Sequence, residues 1–213
     1  MNIRKQLFTF STLICFLFGS FYVTGVQNIL GHESRLYSIG NEDFWITVGS
    51  MNEPVYVDDK SGAEAFVRMA DPANPLDRNA NGTKMLEGLE KTLKFEISAG
   101  DKKKILEIEP AFNDPGHYEA VFYPTMETTY NYRLFGTINN VTLSLDFQCS
   151  TAEGEGNQDN STKQISEGVT QKAQTGAFGC ITARTDASFP EPYISNNEIL
   201  QMINQSKGNS SSN

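Results

Sequence analysis

Histidine, cysteine and tryptophan are scarce here, at two, three and one among 213 residues. Two histidines leave little room for Ser-His-Asp chemistry, which needs an imidazole held between a nucleophile and a carboxylate. Carboxylates are plentiful but scattered, so no glycosidase pair can be named. Positive charge is also short: 17 Lys and Arg stand against 26 Asp and Glu, a net charge of −9. An acidic surface repels phosphate backbones, which excludes nucleic acid as the expected partner and favours cations, metal ions or basic protein surfaces. No internal repeat is visible.

Aromatic residues make up 11% of the chain, with eight Tyr and fourteen Phe, more than a disordered chain carries and enough to build a core. The N-terminus reads as a short basic stretch ending in Arg4-Lys5, followed by an uncharged run from Leu7 to Val26. That is the pattern of a secretory signal, and its length also suffices to span a bilayer of ~30 Å as a helix. Three outcomes stay open: cleavage after Gly25 with Val23 at −3, cleavage after Gly31 with Ile29 at −3, or retention as an anchor. Each places the remainder outside the cytoplasm, with membrane contact only through residues 7–26. Cys15 lies inside the run without a lipobox before it and reads as one more apolar residue.

Export leaves Cys149 and Cys180 as an even pair in an oxidising compartment, and a disulfide between them is expected. Five N-x-Ser/Thr sequons begin at Asn81, Asn140, Asn160, Asn204 and Asn209, all in segments that read as turns or tail, which suits a glycosylated surface.

From Asp43 to Cys149, period-two alternation is broken by turn residues about every ten positions, the signature of short antiparallel strands in a sandwich. Seven strands are expected, 44–50, 63–69, 89–98, 104–109, 117–123, 128–135 and 141–147, with a short edge segment 55–57 beside Pro54; the last two pair through Asn139-Asn140. Leu93, Phe95 and Ile97 alternate with Lys94 and Glu96, making 89–109 the clearest hairpin. Trp45 and the Tyr130/Tyr132 pair match the packing Trp and corner Tyr of immunoglobulin-like sandwiches. Beyond Cys149 the composition turns to Gly, Ser, Thr, Gln, Asn and Glu, so residues 150–213 read as a mostly disordered polar tail with one short helix over 196–205. The expected organisation is thus 1–31 signal or anchor, 32–149 sandwich, and 150–213 tail.

Two loops carry chemistry. Asp77-Arg-Asn-Ala-Asn-Gly supplies the first half of a calcium loop, with oxygens at Asp77, Asn79 and Asn81 and a turning Gly82, but position 12 is Gly88 instead of Glu. Asn-, Asp- and Gly-rich loops are also simply turns. Lys102-Lys103-Lys104 reads as a solvated hairpin tip guarding an edge. His117 directly follows the Asn113-Asp-Pro-Gly turn, where an exposed residue is the plain expectation and metal ligation the alternative.

Four stretches, Gly49-Ser-Met-Asn-Glu-Pro-Val-Tyr-Val, Glu87-Gly-Leu-Glu-Lys-Thr-Leu-Lys, Asp114-Pro-Gly-His-Tyr-Glu-Ala-Val-Phe-Tyr-Pro-Thr and Thr129-Tyr-Asn-Tyr-Arg-Leu-Phe-Gly-Thr-Ile-Asn-Asn, resemble a family of exported bacterial and archaeal proteins. That family has an immunoglobulin-like fold, mostly unassigned function, and distant similarity to YtkA-like and CopC-like domains. The resemblance spans Gly31 to about Cys149. It implies a His-Glu pair soon after the signal, as in His32-Glu33, and, with cleavage after Gly31, a mature N-terminal His32 whose amine and imidazole would chelate copper as the CopC carriers do. Unlike those carriers, the chain has only His117 besides His32 and no Met-rich segment. The expectation is therefore a non-enzymatic, extracytoplasmic module for cell-surface or protein interaction. The alternative is a metal-binding protein, with copper at His32 and His117 or calcium at the Asp77 loop.

Overall fold

Strands in this chain are built by alternation of the kind Leu93-Lys-Phe-Glu-Ile, in which every second side chain turns to the core and the others meet water. The structure, a computed structural model, describes residues 31–151, 159–184 and 189–210. The expected signal or anchor, with Cys15 and the three processing outcomes, lies outside the described residues. In chain order the strands are β1 (His32–Ile39), β2 (Glu42–Ser50), β3 (Ser61–Met69), β4 (Lys84–Met85), β5 (Leu93–Ala99), β6 (Lys102–Glu107), β7 (Glu109–Pro110), β8 (His117–Phe122), β9 (Tyr130–Ile138), β10 (Val141–Gln148), β11 (Lys163–Ser166) and β12 (Val169–Gly176). One helix, α1 (Asn196–Ser210), follows.

The strands form two antiparallel sheets. The larger runs β11-β12-β1-β2-β3-β8-β7 with β4 added to the end of β3, and the smaller runs β10-β9-β5-β6. They face each other as a β-sandwich over one core, in which Phe44, Ile46, Val48 and Tyr118 from the large sheet are buried together with Phe95, Tyr132, Leu134 and Phe147 from the small one. Both expected hairpins are present, β5–β6 and β9–β10. At Gly136 (φ +138°) the backbones of β9 and Thr92 approach so closely that a Cβ would stand 1.9 Å from the Thr92 carbonyl, which only glycine permits. Tyr130 donates its hydroxyl to the Met126 carbonyl (3.2 Å), four residues upstream, the bond of a corner tyrosine.

Three features differ from expectation. First, β1 precedes the first expected strand and pairs with β2 along its whole length. Second, residues 55–57 make only an isolated bridge, Tyr56 with Thr182, in place of an edge strand. Third, the segment after Cys149 is not a mostly disordered tail: β12 pairs with β1 over its full length and β11 pairs with β12. These residues are polar, yet Val169, Gln171 and Ala173 alternate as buried positions and the backbone ladder to β1 supplies what the side chains do not. The expected helix is present and longer than 196–205; Asn196 and Tyr193 tie its start to Asp58, and Glu198 accepts from Ser195. Its Ile199, Leu200, Met202 and Ile203 are exposed. Among the described residues no helix is long and apolar enough to cross a membrane.

Trp45 is buried but lies outside the main core. With Leu36, Ala70 and Ala173 it forms a small second cluster on the outer face of the large sheet, and its indole N–H donates to the Pro75 carbonyl (2.9 Å) of the loop that covers it.

The Cys149–Cys180 disulfide is formed, joining the end of β10 to the segment after β12 with a Cα–Cα distance of 4.8 Å. Backbone bonds from Ser150 to Phe178 and from Cys180 to Ser150 run beside it. A cross-link closing a loop of 31 residues constrains the unfolded chain by ~3.5 kcal/mol in the chain-entropy account. Replacing both cysteines by serine should therefore lower the melting temperature and release β11 and β12 first, read as early loss of amide protection over 163–176. Unchanged melting and protection would contradict the disulfide's role in holding β12 on β1.

Candidate functional site

Strand register lines up one site on the outer face of the large sheet. His32 on β1 is opposite Gly49 on β2, Gly49 is opposite Glu64 on β3, and Glu64 is opposite Glu119 on β8. The next row runs Ser34, Thr47, Phe66, His117. Antiparallel pairing and the period of two therefore bring both histidines, 85 positions apart, to one carboxylate. Glycine at 49 is required by this arrangement, because a Cβ there would stand 2.5 Å from the His32 ring; its absence lets the imidazole lie across β2 toward Glu64.

Glu64 bridges the two rings, one oxygen to each: His32 Nε2 is 2.6 Å from Oε1 and His117 Nε2 is 2.8 Å from Oε2. On its other side His117 Nδ1 is 2.9 Å from Asp114 Oδ2, so the turn before β8 orients the ring. Glu119 Oε1 lies 3.9 Å from His117 Nε2. Phe66 stacks on His117 (centroids 4.0 Å apart, 19° between planes) and meets His32 edge-on, fixing both rings from one side. His117 is 9% exposed and Glu64 8%, so the plain expectation of an exposed His117 is corrected. The Asp-Pro-Gly turn folds back beneath it, and Phe66 covers its face.

A neutral imidazole donates from one nitrogen only, yet both nitrogens of His117 face carboxylates. If Asp114 accepts from Nδ1–H, the Nε2 lone pair and the Glu64 carboxylate face each other, and both are free to bind a cation. Glu64, His117 and Glu119 bring ligand atoms within 4.8 Å of one another, the arrangement of this kind found among the described residues. An imidazole with carboxylates, with His32 outside this trio but bonded to Glu64, suits zinc, copper or iron, whereas calcium prefers an all-oxygen set.

His32 and Glu33 do not act together. As neighbours on a strand they point to opposite faces, and Glu33 turns inward to accept from Arg35 Nε (2.7 Å), whose guanidinium lies 4.4 Å over the Phe147 ring. The Asp77 loop is a chain of turns at the surface. Asp77 Oδ1 accepts from the Asn79 N–H (2.9 Å), and the carboxylate that reaches the Gly82 N–H (3.2 Å) is Asp71's, leaving Asn79 and Asn81 exposed. Asp58 accepts from Tyr193 and Asn196, and Asp59 pairs with Arg184. Of the sequons, Asn81, Asn140, Asn160 and Asn204 are exposed, and Asn209 falls in the last turn of α1. Sequence reasoning missed Glu64, Asp114 and Glu119, since a glutamate alternating with alanines in Ser61-Gly-Ala-Glu-Ala-Phe reads as an ordinary outward residue.

No protein-family model, curated protein or solved structure matches this chain.

A second carboxyl lies against the chain entry to the site: a Cβ on Gly31 would stand 2.7 Å from Glu53 Oε2. Burial pushes the Glu53 carboxyl up to about 7, while His32 and the backbone amides of Ser50 and Gly179 pull the other way. Its Oε1 is buried without a hydrogen-bond partner among the described residues. An acid raised on folding from its ordinary 4.5 to about 7 holds its proton more tightly in the folded state, so its contribution to stability is lost as pH rises between those values. Glu53→Gln should remove this slope and be the more stable protein at pH 8, as followed by thermal melts from pH 4 to 8. A wild type whose stability relative to the variant does not fall across that window would show that Glu53 is not held in a dry setting.

Proposed function

We propose that this chain is an extracytoplasmic, immunoglobulin-like metal-binding protein, secreted or anchored through residues 7–26, that holds one divalent transition-metal ion between His32 and His117. Glu64 and Glu119 supply carboxylate oxygens, and Asp114 orients the His117 ring, the role such carboxylates play behind metal-ligating histidines. The observation that carries the reading is the convergence of the chain's two histidines on the two oxygens of Glu64. The disulfide supports it, because the pairing of Cys149 with Cys180 removes the only thiols among the described residues and leaves imidazole and carboxylate as the ligand set.

This site uses side chains alone, which separates it from the chelate of the N-terminal amine and His32 imidazole that the CopC-like resemblance implies. The amine chelate needs cleavage after Gly31; the paired-histidine site does not. Exposed Ile199, Leu200, Met202 and Ile203 on α1 favour a second reading, that the sandwich also serves as a non-enzymatic module contacting a cell-surface protein.

Calorimetric titration of the metal-free protein should show one tight site for Cu(II) or Zn(II). Asp114→Asn should weaken it by about ten- to hundredfold, the usual cost of losing a residue that orients a ligand, and His117→Gln and Glu64→Gln should cost more. One extra residue before His32 should leave affinity unchanged. Full affinity in His117→Gln would reject the paired-histidine site, and loss of affinity on N-terminal extension alone would assign the metal to the amine chelate.

A further inference from the structure

Beside His32, on the same outer face, lies a cleft of about 230 Å³, many times the space one water needs. Its floor includes Arg68, two positions along β3 from Phe66 and four from Glu64, and its wall includes Arg78 and Asn79 from the loop that arches over Trp45. Thr47 and His32 complete its polar lining, and no Asp or Glu lines it, although the chain carries 26 of them.

The arginines themselves point to a ligand. Five lie among the described residues. Arg35 pairs with Glu33, Arg133 with Glu96 and Arg184 with Asp59. Arg68 and Arg78 have no carboxylate partner among the described residues, and both line this one cleft. Arg78 donates to the Ser34 hydroxyl (2.6 Å), which in turn is 2.8 Å from the Thr47 hydroxyl, so it is held in place by neutral groups and keeps its charge uncompensated. Arg68 Nε is buried with no hydrogen-bond partner among the described residues. In a protein of net charge −9, acidic partners are abundant, and two guanidinium groups left without one beside the same cavity mark a place where negative charge comes from outside.

We infer that this cleft binds a small oxyanion, of the size of phosphate or a short carboxylate, gripped between Arg68 from the sheet and Arg78 from the loop. Guanidinium forks match both kinds of oxygen pair, and the half-sheltered setting makes each charge-assisted bond stronger than it would be in open water. The anion site does not require the metal ion proposed for the histidine pair, so each stands or falls apart from the other.

The test uses the full chain, stripped of metal with a chelator, titrated with inorganic phosphate and, separately, with acetate against sodium chloride at matched ionic strength. Binding is read by calorimetry and by emission of Trp45, the chain's single tryptophan and the cross-strand neighbour of Arg68. Saturable binding of either anion is expected, weakened by about ten- to hundredfold in Arg68→Gln and in Arg78→Gln, the loss of bonds to a charged group. The anion that binds more tightly identifies which oxyanion the cleft prefers. Arg78→Gln lies on a surface loop and keeps the test valid if the strand variant folds poorly. Binding no stronger than the chloride control, or equal in wild type and Arg78→Gln, would overturn the proposal.

Discussion

Register across β1, β2, β3 and β8 is the constraint on which the rest of this molecule depends. A slip of one residue at any of these pairings would turn His32, Glu64 or His117 into the core and bring Glu33, Ala65 or Tyr118 outward. The core forbids such a slip, because Phe44, Ile46 and Val48 alternate with Trp45, Thr47 and Gly49 and only one face meets the small sheet. Sandwich packing thus fixes the outer face without touching it. The site inherits the precision of the core: three strands deliver three side chains, and no loop decides where Glu64 meets the two imidazoles.

Such a cluster is costly without its full set of partners. Glu64 is almost fully buried, and a buried carboxylate with one imidazole removed would be left under-compensated. The molecule meets this cost with a chain of contacts: Asp114 on one ring nitrogen, Phe66 across both rings, and glycine at 49 so that His32 can reach. Arg68 and Arg78, without a carboxylate partner among the described residues, lie just beyond, so one face of the sheet carries a carboxylate-and-imidazole centre next to a cationic cleft. The opposite signs meet at His32, which belongs to both.

Much of the sandwich was legible because its strands alternate cleanly. The β5–β6 and β9–β10 hairpins and the disulfide were all readable from pattern, turn residues and an even pair of cysteines after the first 31 residues. β1 was not, since the buried ion pair Glu33–Arg35 faces inward and apolar Leu36 faces outward, inverting the usual hydropathy of each face. β12 was hidden by its polarity, for Thr170-Gln-Lys-Ala-Gln-Thr is held by its ladder to β1 and by the disulfide more than by apolar burial. His32 and His117 were recognisable as candidates by scarcity alone. That they share Glu64 was not, because the residues lie 32 and 53 positions from it and only the register brings them together.

On the proposed reading both histidines hold one ion through side chains. The most direct measurement is anomalous diffraction from crystals of the protein grown with Zn(II) or Cu(II), collected at the metal's absorption edge. One peak is expected within bonding distance of His32 Nε2, His117 Nε2 and a Glu64 oxygen. A peak at the N-terminal amine, a peak in the Asp77 loop, or no peak on this face of the sheet would contradict it.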